Sequence, residues 1–498
     1  MPVTPSDRIP VIVGIGEIKD RPADPALGLE PVALMEQALR RAEADAGAGL
    51  LGRLDALDIV NSVSWPYADL PAALCGRLAG APRYLNYGPV GGETPVRFLH
   101  EAAERIAAGT SSVAAVVGAE AQHTVAAAQK RGIALPWTAR DPDPKPRNRD
   151  YLAELARRHG LDMPIRVYPL YENATQAAWG QMPAQGQGES ARLWEAFSKV
   201  AAGNPNSWIT RALEADEIAT AGPANRMIAY PYPKLMTANP LVNQGCAVIV
   251  TSLAVARAAG IAAHRLVPIL GGAAANEPKD IMARAHFDRA PAMEAVLAVA
   301  REMAGGDARG FAHREFYSCF PVVPKMARRA LGLPESATPT VAGGLTFHGA
   351  PLNNYMLHAA AAMVRALRGD VGALGLLYGQ GGFASNHRSL VLGGAVGTAL
   401  VSRDLQAEVD TVRPPPPVLV EGRTGEATVE THTVVFGPNG MPDYGAVVLR
   451  LPDGARTIAR VPAEDDDTLG VLMSPITTAV GVTGLLTPGQ EGLQQWTI

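Results

Sequence analysis

Two patterns of apolar and polar positions alternate along roughly the first 400 residues of the chain. Short continuous apolar runs, such as residues 9–16 and 112–118, predict buried strands. Longer stretches with apolar positions at helical spacing, such as 30–46 and 291–304, predict amphipathic helices. Strands that alternate with helices predict a layered α/β fold, with parallel pairing of the strands that helices connect.

This succession of elements occurs twice. The sequence at 99–103 has a counterpart at 357–361, each within a predicted helix, and Gly-rich turns precede the two helices at 91–95 and 349–353. A duplicated α/β unit places equivalent loops opposite each other across a pseudo-twofold axis. Two helix N-termini can then face one site, and helix N-termini favour anions and oxyanions.

Two segments lie outside the repeat. Residues 121–240 form a long insertion rich in Pro, Arg, Asn and aromatic residues, and the pattern leaves open a binding loop or a structural cap. After a polyproline linker at 413–417, short apolar runs separated by tight turns predict a small β-barrel or sandwich. The runs lie at 427–436, 446–451 and 456–461.

The chain therefore divides into three predicted units. The first half of the repeat covers residues 1–258 and includes the insertion as a loop domain at about 121–240. The second half covers 259–410, and the additional β-domain covers 418–498. A chain of 498 residues exceeds one ordinary core, which agrees with this division.

Composition narrows the functional classes. Apolar residues make up 47% and charged residues 18%, which is typical of a globular protein, and the net charge of −4 disfavours a nucleic-acid partner. The three cysteines, Cys75, Cys246 and Cys319, are far apart, which predicts a reducing compartment, no disulfides and no metal site. No apolar signal core occurs at 1–8, and charged residues interrupt the apolar region 246–275. We therefore expect a cytoplasmic protein without a membrane span.

Four stretches carry a resemblance to a known family. They are residues 10–14, 225–227, 343–355 and 380–383. With the duplication and the insertion, they resemble the thiolase superfamily, and within it the SCP2-thiolase-related thiolase-like proteins of type 1 that carry an additional C-terminal domain. The resemblance implies a duplicated thiolase fold, layered α-β-α-β-α, with a loop domain and a small OB-like barrel.

The resemblance also shows what this chain lacks. Thiolases carry a nucleophilic cysteine at the start of the first-copy helix, and the matching residue here is Gly92. The family's Gly-His-Pro triplet corresponds to residues 349–351, which read Gly-Ala-Pro, with His348 just before them. The final Cys-x-Gly loop corresponds to 378–382, which contains no cysteine. Covalent acyl transfer through residue 92 is therefore excluded.

The family's Asn-Glu-Ala-Phe loop corresponds to residues 317–320. Its SCP2-like form places a cysteine where Cys319 stands, and this cysteine is a candidate acid or base. Tyr317 stands where the family has an Asn or His, and its phenol can donate a similar hydrogen bond.

The predicted site combines these residues with the two Gly-rich turns. The predicted catalytic residues are Tyr317, Cys319, His348 and Tyr355. The predicted substrate-binding residues are Gly91, Gly92, Glu93, Asn353, Asn354, Gly381, Gly382 and His387. Structural alternatives stay open: Asn353 as a helix N-cap, His348 as a satisfied loop histidine, Cys319 as a small buried group and His387 as a surface or strand-end histidine. For Glu93, a base and an ordinary match to the helix dipole are both open.

Three functions are compatible with these residues. The favoured one is non-covalent C–C bond chemistry of the aldol or retro-aldol type on a coenzyme A thioester, in lipid metabolism. The alternatives are a non-catalytic acyl-CoA or lipid-binding protein and a conventional acetyl-CoA acyltransferase. The expected partner is an acyl-CoA, with no permanently bound cofactor. Monomer and homodimer are both open.

Overall fold

A computed structural model describes residues 7–78, 80, 82–144, 151–394 and 399–498. Its strands are β1 (Pro10–Lys19), β2 (Ala56–Ile59), β3 (Tyr84–Tyr87), β4 (Val113–Ala121), β5 (Met227–Ala229), β6 (Tyr232–Pro233), β7 (Asn243–Ser252), β8 (Val267–Asn276), β9 (Phe311–Phe316), β10 (Leu374–Gly381), β11 (Asn386–Gly393), β12 (Val401–Asp404), β13 (Gly425–Phe436), β14 (Pro442–Arg450), β15 (Arg456–Pro462), β16 (Thr483–Pro488) and β17 (Gln494–Thr497). Its helices are α1 (Pro31–Ala46), α2 (Leu70–Cys75), α3 (Thr94–Ala108), α4 (Gln122–Arg131), α5 (Glu154–Arg158), α6 (Pro164–Ala178), α7 (Pro183–Ala202), α8 (Ala215–Ala219), α9 (Leu253–Ala258), α10 (Pro291–Met303), α11 (Val322–Ala330), α12 (Tyr355–Gly369), α13 (Gln406–Val412) and α14 (Asp466–Leu472).

The strands of the duplicated core form two half-sheets that meet at one edge. The order is β3-β2-β4-β7-β1 in the first half and β8-β11-β10-β9 in the second, with β12 beside β8. Parallel pairing is confirmed for β2 with β3 and β4, and for β9 with β10. The strands between these parallel pairs are antiparallel to their neighbours. The two halves are joined by two residue pairs between β1 and β8.

The helices complete the layered arrangement, and the predicted α-β-α-β-α order is confirmed. Helices α3 and α12 contact each other and both half-sheets, so they form the central layer. Helix α1 covers β1, β4 and β7 on the outside of the first half, while α10 covers β8 and β11 on the second. Because α12 lies between two sheets, it is apolar around most of its circumference, with the run 359–362 buried.

The insertion leaves the first half at the end of β4 and returns at the start of β7. These ends are adjacent, because Ala121 and Asn243 are register partners in the antiparallel pair. Between them lie α4 to α8 and the short hairpin β5–β6. The hairpin reaches the C-terminal domain, where Ala229 pairs with Val435 of β13. The insertion is thus anchored both to the core and to the last domain.

The C-terminal domain is a closed five-stranded β-barrel, as predicted. Its strand order is β13-β14-β15-β17-β16, and β16 returns to β13. Neighbouring strands are antiparallel except for β15 with β17, and α14 lies between β15 and β16 along the chain. Val447, Ala459, Leu469 and Trp496 fill its interior. This connectivity is that of an OB-like barrel.

Among the described residues, no helix combines the length and the apolar character that crossing a lipid bilayer requires.

Candidate active site

Loops from both halves of the core converge where α3 begins. The segment after β9 continues the parallel pairing with β10, because the Tyr317 amide donates to the Tyr378 carbonyl at 2.9 Å. The carboxyl ends of these two strands therefore open toward the first-half turn that precedes α3. Carboxyl ends of parallel strands are where α/β proteins usually place their ligand sites.

Gly92 lies against the Tyr317 side chain. A Cβ atom on residue 92 would stand 2.4 Å from Tyr317 Oη and 2.7 Å from the Gln380 carbonyl oxygen. Both distances are shorter than real Cβ contacts, so glycine is needed here for steric reasons. The phenol hydroxyl thus occupies the space into which any side chain of residue 92 would project.

The carboxyl group of Glu93 lies beside the Tyr317 hydroxyl, in a space that is open because Gly91 and Gly381 have no side chains. A Cβ on Gly91 or Gly381 would collide with the carboxyl oxygens of Glu93. Asn386 Nδ2 donates to Oε1 at 2.9 Å, while Oε2 has no hydrogen-bond partner among the described residues. The side chain is 4% exposed, and burial raises the pKa of Glu93 despite the nearby charge of Arg388. One oxygen of a buried carboxyl group is therefore available to a ligand.

Cys319 lies on the same side of the candidate site as Tyr317. It belongs to a cluster of buried polar side chains that includes Tyr168 of the insertion. Gln380 Nε2 is 3.5 Å from Cys319 Sγ and donates to Tyr168 Oη at 2.6 Å. Burial raises the pKa of the Cys319 thiol to about 12, so the thiol keeps its proton at neutral pH. The Tyr168 hydroxyl also accepts from the Ala384 amide at 3.1 Å. Sequence reasoning missed Tyr168, and no spacing in the chain signals its arrival from α6.

The two asparagines before α12 connect the halves of the core. Asn353 Oδ1 accepts from the Gly91 amide at 3.0 Å, and its Nδ2 donates to the Asn61 carbonyl at 3.0 Å. Asn354 Nδ2 donates to the Gly118 carbonyl at 2.7 Å. Neither side chain caps α12, so the N-cap interpretation of Asn353 is wrong. Their amides instead position the first-half turn next to the second-half helix.

Tyr355 and His387 have their polar atoms engaged by other residues, whereas one ring nitrogen of His348 has no hydrogen-bond partner among the described residues. Tyr355 Oη donates to Glu315 Oε1 at 2.6 Å and accepts from the Gly344 amide at 3.0 Å. His387 Nδ1 accepts from Tyr378 Oη at 2.7 Å, and its Nε2 lies 3.0 Å from the Ala384 carbonyl oxygen. His348 lies beside His358, with ring centroids 5.1 Å apart.

The structure therefore separates the predicted residues into two groups. Around the hydroxyl of Tyr317 it brings together Gly91, Gly92, Glu93, Cys319 and Gly381. The remaining predicted residues support the surrounding loops. Among them, Gly382 has a φ of 64° and lies against the Tyr151 ring, which leaves no room for a side chain.

Comparisons with known proteins agree with this architecture. A family model for the thiolase-like protein type 1 additional C-terminal domain matches residues 404–488. The crystal structure of a monomeric SCP2-thiolase-like protein type 1 from Mycobacterium smegmatis matches with a TM-score of 0.81 and 28% identity. The match covers 99% of this chain and 99% of that one. No curated protein sequence matches the chain.

More distant structures share the fold of the core. The Ltp2-ChsH2(DUF35) aldolase matches 79% of this chain and 99% of its own, with 19% identity and a TM-score of 0.59. The dimeric peroxisomal thiolase of Saccharomyces cerevisiae matches 78% of this chain and 98% of its own, with 12% identity and a TM-score of 0.56. The barrel matches the family model and the whole length matches the mycobacterial structure, so both comparisons support a thiolase-like protein of type 1 with the additional C-terminal domain.

Proposed function

We propose that this protein makes or breaks a C–C bond in a coenzyme A thioester without forming an acyl-enzyme. One observation carries the proposal: the Tyr317 hydroxyl fills the side-chain space of Gly92, next to the buried Glu93 carboxyl group with its unpartnered oxygen. A hydroxyl donor and a carboxylate base suffice for aldol chemistry, which needs no nucleophilic cysteine.

In the retro-aldol direction, the proposed substrate is a β-hydroxyacyl thioester. The Glu93 carboxylate accepts the proton of the β-hydroxyl group as the Cα–Cβ bond breaks. The electron pair of that bond moves into the thioester, and the resulting enolate oxygen accepts a hydrogen bond from Tyr317 Oη. The Glu93 carboxyl group then returns its proton to Cα. The products are an aldehyde or ketone and a shortened thioester.

The acid–base properties of the two candidate bases favour Glu93 over Cys319. A carboxyl group whose pKa is raised by burial moves toward the range where a general base is efficient near neutral pH. The Cys319 thiol, with its pKa raised to about 12, is suited to donating a hydrogen bond and not to accepting a proton. We therefore assign the base to Glu93 and a supporting position to Cys319.

The fused barrel has a proposed supporting role in the same site. Arg456 of β15 is fully buried, and its guanidinium donates to the Met282 carbonyl at 2.7 Å and to the Arg284 carbonyl at 2.5 Å. Arg284 in turn donates to the Phe383 carbonyl at 3.0 Å, in the loop that follows Gly381. Hydrogen bonds thus lead from the barrel to a loop beside Glu93. The aldolase named above also pairs a thiolase-like chain with a DUF35 protein.

A second candidate is a non-catalytic acyl-CoA or lipid-binding protein. A surface cleft of about 480 Å³ lies between the insertion, the second half and the barrel, away from the candidate active site. Ala174, Phe287 and Val480 supply apolar lining, and His286 and Glu430 supply polar groups. An acyl chain held there would need no catalytic residue.

The test uses a panel of coenzyme A thioesters with the purified full-length chain. We expect β-hydroxyacyl-CoA to be cleaved, with both products identified by liquid chromatography and mass spectrometry. Tyr317→Phe should lower the rate by roughly 10²–10³-fold, the usual cost of losing one such donor. Tyr67→Phe is the matched control, because its buried hydroxyl accepts from the Val32 amide of α1 at 3.1 Å, on the outside of the first half.

The other outcomes select among the alternatives. Acetyl exchange between acetyl-CoA and an acyl-CoA would overturn the argument from Gly92. Binding of thioesters without turnover, abolished by Ala174→Trp in the surface cleft, would favour the binding protein.

A further inference from the structure

The loop 317–321 connects β9 to α11 and carries Tyr317 and Cys319 of the candidate active site. The core holds its first residue, because the Tyr317 amide donates to the Tyr378 carbonyl at 2.9 Å. The end of the loop contacts the insertion instead. The position of Tyr317 Oη against Gly92 therefore depends on both regions.

Two aromatic rings of the insertion enclose Phe320 of this loop. The Tyr168 ring of α6 is stacked on the Phe320 ring with centroids 4.6 Å apart, and the centroid of the Tyr232 ring of β6 lies at 5.4 Å. Tyr232 Oη also accepts a hydrogen bond from the Val322 amide at 3.4 Å, where α11 begins. Amides of the first helical turn lack intrahelical partners, so this bond satisfies one of them. Tyr232 thus holds the end of the loop by a ring contact and a hydrogen bond.

A buried ion pair fixes the Tyr232 hydroxyl. Tyr232 Oη donates to Glu172 Oε2 at 2.6 Å, and Glu172 Oε1 accepts from Lys325 Nζ. The side chains of Glu172 and Lys325 are both 0% exposed. Lys325 Nζ also donates to Ser190 Oγ at 2.9 Å and to the Gly186 carbonyl at 3.4 Å, so all three of its protons have acceptors. Burial and the charge of Glu172 raise the pKa of Tyr232, so its phenol stays protonated and acts as a donor.

These bonds link two points of α11 through the insertion. Val322 and Lys325 both lie on the first turn of α11, and the bonds between them pass through Tyr232 and Glu172. A buried ion pair is weak evidence for stability, because the desolvation of both charges offsets their attraction. Directional bonds among fully buried groups nevertheless define one arrangement. The network is therefore better explained by the position that it gives to the loop than by net stabilisation.

We propose that Tyr232, fixed by this ion pair, is a positioning residue that keeps Tyr317 Oη in place against Gly92. The inference rests on the proposed function, in which the Tyr317 hydroxyl binds the enolate oxygen. It also assigns a role to the insertion, for which the sequence leaves a binding loop and a structural cap open. Through Tyr232, the insertion holds the loop that carries the hydrogen-bond donor of the site.

Tyr232→Phe tests the proposal, because it removes the hydroxyl and keeps the ring. We expect kcat for β-hydroxyacyl-CoA cleavage to fall about tenfold or more, with KM changed less than about twofold, because a misplaced donor affects the transition state and not thioester binding. Tyr67→Phe is the matched control. The Tyr67 hydroxyl likewise accepts from a first-turn amide, that of Val32 at 3.1 Å, and donates to Glu30 at 3.3 Å, on the outside of the first half. This control should lose similar stability and keep the wild-type kcat.

A second measurement needs no substrate and uses the steric conflict at residue 92. Gly92→Ala places a methyl group in the space of the Tyr317 hydroxyl, so its cost depends on how firmly the loop is held. In the Tyr232→Phe chain, the shift of the urea midpoint that Gly92→Ala causes should be at most about half of its wild-type value. In the Tyr67→Phe chain, this shift should equal the wild-type value.

The two measurements separate the inference from the proposed function. An undiminished Gly92→Ala shift in the Tyr232→Phe chain would overturn the inference, and so would a wild-type kcat in Tyr232→Phe. If the folded wild-type chain cleaves no thioester, the proposed function fails, and the substrate-free cycle alone decides whether Tyr232 positions the loop.

Discussion

Two buried carboxyl groups close to the candidate active site, Glu93 and Glu315, have contrasting surroundings. Glu315 Oε2 accepts from Thr340 Oγ1, the Val341 amide and the Ala342 amide at 2.8–2.9 Å, and Oε1 accepts from Tyr355 Oη at 2.6 Å. Glu93 accepts from Asn386, and its Oε2 has no partner among the described residues. Burial raises the pKa of both groups.

The contrast distinguishes a structural carboxyl group from a chemical one. The four donors around Glu315 tie the end of β9 to the following loop and to α12, so this group maintains the framework of the site. Glu93 contributes little to that framework and retains capacity for a ligand. A buried polar group with unused capacity lowers stability, and such groups persist where function requires them.

The largest expected effect is on activity. Glu93→Gln removes the proposed base while keeping the shape of the side chain. We expect the rate of β-hydroxyacyl-CoA cleavage to fall by about 10²–10⁴-fold, the usual contribution of a general base. The free energy of unfolding should change by less than about 1 kcal/mol, because the glutamine carbonyl oxygen can still accept the hydrogen bond from Asn386. Kinetics and urea unfolding of the same preparation check both parts.

Removal of the Glu315 carboxyl group should reverse this pattern, with the large effect on the free energy of unfolding. Glu315→Ala leaves four buried donors without an acceptor, so we expect a loss of about 3–5 kcal/mol in the free energy of unfolding. Glu93→Ala should cost clearly less, about 1–2 kcal/mol. Denaturant titration of the two variants provides the comparison. Equal losses would remove the distinction between the two groups.

The next effect, again on the free energy of unfolding, comes from the close contact between Gly92 and Tyr317. Gly92→Ala should lower the free energy of unfolding by about 1–3 kcal/mol, because the new methyl group overlaps the phenol. In the double variant with Tyr317→Ala, the cost of the extra methyl group should largely disappear. A double-mutant cycle measures this coupling. Purely additive losses would show that the two side-chain positions do not share one space.

The last effect is a pH dependence of stability, with a small change for each single pH unit. Burial raises the pKa of Glu315 to about 7 in the folded chain, against 4.5 for the ordinary group. The folded state therefore holds this proton more tightly, and its contribution to stability is complete below pH 4.5 and is lost as the pH rises through 7. The loss is about 1.4 kcal/mol per pH unit inside that window. Unfolding of the wild type and Glu315→Gln at several pH values should differ by this slope.

The sequence predicted the fold because the signals of the fold are local. Four elements occur where the apolar pattern predicts them. The predicted strands 9–16 and 112–118 correspond to β1 and β4, and the predicted helices 30–46 and 291–304 correspond to α1 and α10. The barrel was predictable for the same reason: short apolar runs and tight turns alternate after the linker. Pairing direction was less accessible, since the antiparallel contact of β1 with β8 depends on how the halves meet.

The site was predictable only in part. The missing nucleophile at Gly92 is visible in the sequence, but the hydroxyl that fills its place is not, because Tyr317 is distant along the chain. Tyr168 reaches the site from the insertion, and no spacing rule connects it with the loop after β10.

Exchange of the α-proton of an acyl-CoA in deuterated water tests the central claim most directly, because it requires only the base and the enolate-binding groups. The wild-type chain should incorporate deuterium at Cα, as measured by mass spectrometry of the recovered thioester. Glu93→Gln should lower that rate by about 10²–10⁴-fold, and Tyr67→Phe should retain it. No exchange above the uncatalysed rate with the folded wild-type chain, or equal exchange in Glu93→Gln, would contradict the account.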